Sequence, residues 1–238
     1  MIFSNLLSQL NSSEFSDLRP MQESVLEKYS YLIERDSRVR ERDVAIEMPS
    51  GTGKTLVAFL IAEYHRRHGR SVAMLTGTRQ LAKQVAEDAS LLGIEAFVFE
   101  GPGHEWSQTE LGKYKNAEHI AIMNYWAYFN VNPRPTPAEI LILDDAHLAE
   151  NPISGLFSIC LDRSYDKDLF SAIIELIRSL HPGRYPVIED IWREIPTNSP
   201  FLLPFNDWFA LSDRIIELLD VAADERNERI RFTWPSIR

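Results

Sequence analysis

The chain has 238 residues, 45% of them apolar and 25% charged, and 25 Lys and Arg against 35 Asp and Glu give a net charge of −10. These globular proportions leave chain for one large domain or a domain plus part of another, and exclude a disordered, collagenous or fibrous molecule. The acidity argues against a simple electrostatic nucleic-acid binder, and a lone cysteine, Cys160, excludes an internal disulfide, a thiolate zinc cage or an iron–sulfur cluster held by this chain.

The first 17 residues lack a basic leader region and space their apolar residues as an amphipathic helix does, so no signal peptide is expected. No run approaches the ~18 apolar residues that cross a bilayer. The expectation is a cytoplasmic protein without a membrane partner. Residues 20–36 predict a helix opened by Pro20. Residues 44–48 predict a strand that breaks into Pro49-Ser50-Gly51-Thr52-Gly53, and residues 54–68 predict a helix closing on Arg66, Arg67 and His68, with Gly69 as its stop. Strand, helix and strand follow over 71–76, 79–92 and 94–99, then a polar loop over 101–110. A strand over 119–123, a helical turn over 124–130, a proline-rich loop over 132–137 and a strand over 139–143 complete the series. Such alternation specifies an α/β doubly wound core with a parallel sheet covered on both faces. Beyond it, residues 168–180 and 207–230 predict helices joined by a proline-rich connection. The expected division is therefore an α/β domain over 1–150 and a mainly helical extension over 151–238. The basic clusters at 35–42 and 65–70 read as solvated helix ends.

The strongest chemical signal is Met48-Pro49-Ser50-Gly51-Thr52-Gly53-Lys54-Thr55, a glycine turn closed by Gly-Lys-Thr between a predicted strand and a predicted helix. Backbone N–H groups of such a loop converge at the helix N-terminus and cradle nucleotide phosphates. Pro49, Ser50, Gly51, Thr52 and Gly53 would form the cradle of a P-loop NTPase, Lys54 would neutralise phosphate charge, and the Thr55 hydroxyl would ligate Mg²⁺. The second signal is Ile140-Leu141-Ile142-Leu143-Asp144-Asp145-Ala146-His147. Its apolar strand delivers two carboxylates at the C-terminal end, where open α/β sheets bind ligands. Asp144 is read as the residue that holds Mg²⁺ through water, and Asp145 as the residue that orients or deprotonates the attacking water.

Together these segments resemble the first RecA-like domain of superfamily 2 helicases of the DEAD/DEAH type, over about residues 18–150. Residues 46–55 look like motif I of the XPD/DinG-like branch, and Asp144-Asp145-Ala146-His147 resembles motif II. Three shorter matches fall in order. Leu18-Arg19-Pro20-Met21-Gln22 resembles the upstream adenine-reading element, which implies Arg19 and Gln22 beside the base. Residues 75–81 resemble motif Ia, which implies Thr76, Thr78 and Arg79 on the sugar–phosphate backbone of a single strand, DNA favoured over RNA. Met123-Asn124-Tyr125 resembles the next nucleic-acid motif, and whether Tyr125 and Trp126 are core aromatics or stacking platforms stays open. In the family His147 would couple the nucleotide site to the partner domain. The resemblance thus implies ATP and Mg²⁺ as cofactors and an ATP-dependent helicase or translocase as the function. A duplex-DNA translocase of restriction or defence systems falls within the same reading, because it shares motifs I, Ia and II.

The sequence also departs from that family. Asp145 stands where Glu is usual, about 1.5 Å shorter in reach, which motivates the alternative of a regulatory or scaffolding module that binds ATP with little hydrolysis. The iron–sulfur cysteines of XPD-type enzymes are missing between 82 and 143. No motif III, V or VI pattern follows His147, so a second RecA-like domain is expected downstream in a longer protein, with this chain as its N-terminal ATP-binding part.

Overall fold

Four parallel strands in the order β2-β3-β1-β4 form the sheet of the computed structural model. The structure describes residues 2–10, 17–35, 43–130, 133–197, 199–224, 230 and 234. The strands are β1 (Val72–Thr76), β2 (Ala96–Val98), β3 (Ile120–Asn124) and β4 (Ile140–Leu143). β1 lies between β3 and β4, with Ala73 opposite both Ala121 and Leu141. Its five residues are all buried, as the unbroken apolar run Val-Ala-Met-Leu requires of a strand covered on both faces.

The period of two along these strands sorts the core. Val72, Met74, Ile120 and Ile122 face one side, where they meet Phe3, Leu6, Leu26, Phe59, Leu60 and Val85. These come from α1 (Ile2–Gln9), α2 (Pro20–Arg35), α3 (Lys54–Arg67) and α4 (Arg79–Leu91). Ala73, Leu75, Ala121 and Met123 face the other side, against Phe99, Trp106, Tyr114 and Tyr125. That layer is built from α5 (Gln108–Lys115), α6 (Tyr125–Tyr128), the 3₁₀ turn Ala146–Ala149 and the intervening loops, and α7 (Glu150–Leu156) follows that turn. The result is a mixed α/β fold of RecA-like type.

The strand expected over 44–48 does not form. Residues 43–49 have no regular structure, and Val44 and Ile46 are 41% and 39% exposed while Met48 alone is buried. An apolar run specifies burial, but a strand also needs a neighbour for its backbone groups. Among the described residues β4 pairs only with β1. The segment therefore enters the glycine loop as an extended lead-in pinned by Met48.

Three helices lie outside the helical spans expected from the sequence. α5 begins at Ser107, whose Oγ accepts from the Glu110 amide at 3.4 Å, so Ser107-Gln108-Thr109-Glu110 carries a legible capping signature. α7 follows the acidic strand end, and α9 (Pro186–Trp192) starts on Pro186 inside the proline-rich connection. The chain divides into two compact units, Met1–Leu156 and Phe157–Arg238. In the second, α8 (Lys167–Leu180), α9 and α10 (Phe205–Asp224) close around Ile174, Ile177, Ile188, Leu211, Ile215 and Leu219. α10 stops at Asp224, and the remainder of its expected span, 225–229, lies outside the described residues, as does most of the 35–42 basic cluster. No helix of the described residues is long and apolar enough to cross a membrane.

Candidate functional site

The glycine loop turns on two left-handed residues, Gly51 at φ 76° and Gly53 at φ 81°. These conformations cost an L side chain roughly 1–2 kcal/mol. Gly53 caps α3 without a side-chain bond, so the helix opens at Lys54 with its first N–H groups directed out of the turn. Thr52 folds back, its Oγ1 donating to the Pro49 carbonyl at 2.7 Å. Ser50 is exposed at the head of the turn, and Thr55 is half-buried on the first turn of α3.

Gln22 holds this loop from below. Its Nε2 donates to the carbonyls of Thr52 and Gly53 at 3.0 and 3.3 Å, and its Oε1 accepts from the Arg19 amide at 2.9 Å. Arg19 adds a bond from Nη1 to the Gly51 carbonyl at 3.3 Å. A methyl group at Gly53 would stand 2.3 Å from the Gln22 amide nitrogen, so Gly53 is required twice, by its dihedral and by this approach. The sequence expected Arg19 and Gln22 beside adenine. In the structure Gln22 is 3% exposed and its amide engages the loop backbone, which makes the pair a latch.

Across from the loop, β4 delivers the two acids. The Asp144 amide still donates to the Leu75 carbonyl at 2.9 Å, the last rung of the sheet. Asp145 then leaves it in a left-handed conformation, φ 49°, uncommon for a residue with a side chain and a strain typical of functional turns. Lys54 Nζ reaches Asp145 Oδ1 at 3.2 Å, joining residues 91 positions apart. Burial and then the neighbouring Asp145 charge push the Asp144 carboxyl above its ordinary range, opposed by Lys54 and a backbone hydrogen bond. Two carboxylates thus share one lysine. Among the described residues no cluster of three or more His, Cys, Asp or Glu forms a metal site. His147 is exposed on the 3₁₀ turn Ala146–Ala149 that follows.

The expected nucleic-acid contacts separate into two groups. Thr76 is fully buried and its hydroxyl donates to the Thr78 carbonyl at 3.0 Å, while Thr78 caps α4 by accepting from the Leu81 amide at 3.1 Å. Asn124 caps α6 in the same way, Oδ1 accepting from the Ala127 amide at 2.8 Å. Tyr125 is fully buried, and its hydroxyl donates to the Asp144 carbonyl at 2.6 Å. Burial and the two aspartate charges raise its pKa to about 12. Thr76 and Tyr125 are therefore closed to any strand at the surface, while Thr78, Arg79 and Asn124 remain open to it. Trp126, its role undecided in the sequence, is 48% exposed. Arg134 and His104 carried no sequence signal beyond lying in polar, proline-rich or glycine-rich loops. With Arg79 and Asn124 they line one cleft.

The turns around the acids also touch. A methyl at Gly77 would lie 2.8 Å from Leu148 Cδ1, so the turn after β1 rests on the turn after β4.

The model of the family described as Type III restriction enzyme, res subunit (ResIII), matches residues 15–176. No curated protein matches the chain, and no solved structure does.

Proposed function

The chain belongs to the family of the type III restriction enzyme res subunit, which makes it a helicase-like RecA-type domain, and from that premise we propose that it binds Mg²⁺-ATP and serves a nucleic-acid translocase or helicase. One observation carries the reading. The glycine loop at the head of α3 and the acid pair at the end of β4 meet through Lys54 and Asp145, 3.2 Å apart. Neither a structural glycine turn nor a solvated acidic turn needs the other.

In this reading the N–H groups of residues 51–55 and the Lys54 ammonium bind the β- and γ-phosphates. Lys54 exchanges Asp145 for phosphate, which frees the Asp145 carboxylate to accept a proton from water. Asp144 and Thr55 hold Mg²⁺, which when bound neutralises charge on the transferring phosphoryl group. Burial and then the Asp145 charge disfavour the ionised Asp144 carboxyl, and a divalent cation beside it would favour that form. Thr78, Arg79 and Asn124 contribute a stretch of a strand track, single-stranded DNA being favoured. Residues 1–150 act as the motor half and 151–238 as an extension. A second RecA-like domain supplies the arginine that completes the site, with His147 coupling the two. Within the superfamily residues 46–55 resemble the XPD/DinG-like branch, but the matched family is that of the restriction subunit.

A titration with a fluorescent ATP analogue in Mg²⁺ tests the site. Lys54→Ala is expected to weaken binding at least about tenfold, consistent with losing a charge-assisted contact of roughly 1.5–3 kcal/mol. Unchanged affinity rejects the site.

A second reading is favoured by the same ion pair: with Asp145 both short and held by Lys54, the domain binds ATP as a regulatory module and hydrolyses little. Turnover that rises in Asp145→Glu, with nucleotide affinity kept, is the expected signature of that reading.

A further inference from the structure

The cleft beside α4 stands apart from the ATP loop. It opens at the carboxyl ends of β2 and β3 with a volume of about 470 Å³, within the ~300–1,000 Å³ of small-ligand sites. Arg79, His104, Trp126 and Arg134 line it. Trp126 is held in place although half-exposed, because its ring rests on α7, where a methyl at Gly155 would stand 3.3 Å from the indole. The facing loop is fixed as well. Trp106 Nε1 donates to the Glu100 carbonyl at 2.9 Å, and the Glu105 amide donates to the Pro102 carbonyl at 2.9 Å. Gly103 lets the Arg134 segment approach closely, since a Cβ there would lie 3.2 Å from Arg134 Cβ. Glu100, the carboxylate among the lining residues, is paired with Lys83 at 3.1 Å. Arg79 and Arg134 bring two guanidinium groups to the same lining.

We infer that this cleft takes one nucleotide unit of a single strand, its base against the Trp126 indole and its flanking phosphates on Arg79 and Arg134. An aromatic ring and two guanidinium groups lining one cleft suit the alternation of base and phosphate along an unpaired strand. A duplex offers the phosphates but not the base, which already has stacking partners on both sides. The inference rests on the reading of the chain as a nucleic-acid-binding helicase-like domain and adds Trp126 and Arg134, which none of the motifs contains.

The test uses the whole chain and fluorescence anisotropy with a short labelled oligodeoxythymidylate, an oligouridylate of equal length as a second arm, and a matched duplex as a third. Trp126→Ala is expected to weaken single-strand binding about 5- to 150-fold, the range for losing one base–aromatic stack, with a smaller loss on the duplex. Trp126→Phe is expected to keep most of the affinity. Arg134→Ala is expected to flatten the dependence of log K on log salt by about 0.7 per lost phosphate. Thermal melts establish that each variant is folded. Unchanged single-strand affinity in Trp126→Ala overturns the assignment, as do equal losses on single strand and duplex. Thymidine monophosphate binding as tightly as the oligomer, and through Trp126, shows a free-nucleotide site and overturns the strand assignment. If Trp126→Ala has no effect while Lys54→Ala still loses ATP, the cleft fails and the helicase-like reading stands. If the unaltered chain binds neither ATP nor a strand, that reading fails as well.

Discussion

At the scale of single residues, the glycine loop and the acid turn are each held by a mutual dependency. A methyl at Gly53 would stand 2.3 Å from the Gln22 amide nitrogen, so Gly53→Ala displaces that amide from its loop bonds besides adopting a left-handed dihedral. The expected loss of folding stability is about 2–4 kcal/mol, combining the dihedral cost with the loss of buried hydrogen bonds. Gln22→Ala removes the obstacle, so the double variant is expected to lose less than the sum of the single ones in urea unfolding. Strict additivity would refute the contact. Tyr125 is the second dependency. Tyr125→Phe deletes the bond to the Asp144 carbonyl and leaves a partly buried acceptor, for an expected loss of about 1–2 kcal/mol by the same measurement. No loss would mean that the Tyr125–Asp144 bond does not hold the acid loop.

At the scale of elements, pH reaches the sheet through His119, just before β3. It is buried against Phe97 and Phe99, with Nδ1 3.4 Å from Glu110 and Nε2 without a partner. Burial lowers its pKa below the usual 6.5, against the pull of Glu110. Below pH 6.5 the unfolded chain therefore binds the proton more readily than the folded one. Stability is expected to be full above that value and to fall as pH drops through it, and His119→Leu should remove that part of the slope in urea unfolding across pH 5.5–7.5. The strands and long helices were legible in the sequence because their patterns are local: unbroken apolar runs in β1 and β3, and the basic stop of α3 at Arg66 and Arg67. The lead-in at 43–49 was not, since pairing depends on a neighbour that no local pattern encodes. The candidate site divides the same way. The glycine loop and Asp144-Asp145 are sequence motifs, and the sequence left Trp126 open as core or platform, whereas Gln22 as a latch and Arg134 beside Trp126 arise only when separate loops meet. Tyr125 and Trp126 are chemically similar neighbours, and only the fold tells which one is inside.

At the scale of the whole molecule, the first unit holds both hydrophobic layers of the sheet, and the second is closed around its own apolar centre. Each contains what a domain needs to fold alone. A fragment ending at Leu156 is expected to melt cooperatively and to bind an ATP analogue as the full chain does, by calorimetry and titration; a fragment without a transition overturns that independence. Adjacent residues 125 and 126 also belong to different neighbourhoods, one tied to the Asp144 carbonyl and the other lining the cleft. One short backbone segment is common to both, and exchange of free energy between two places on a protein is symmetrical. Whatever factor a filled cleft adds to the grip on ATP, bound ATP must return to the cleft, so a titration from either end measures the same quantity.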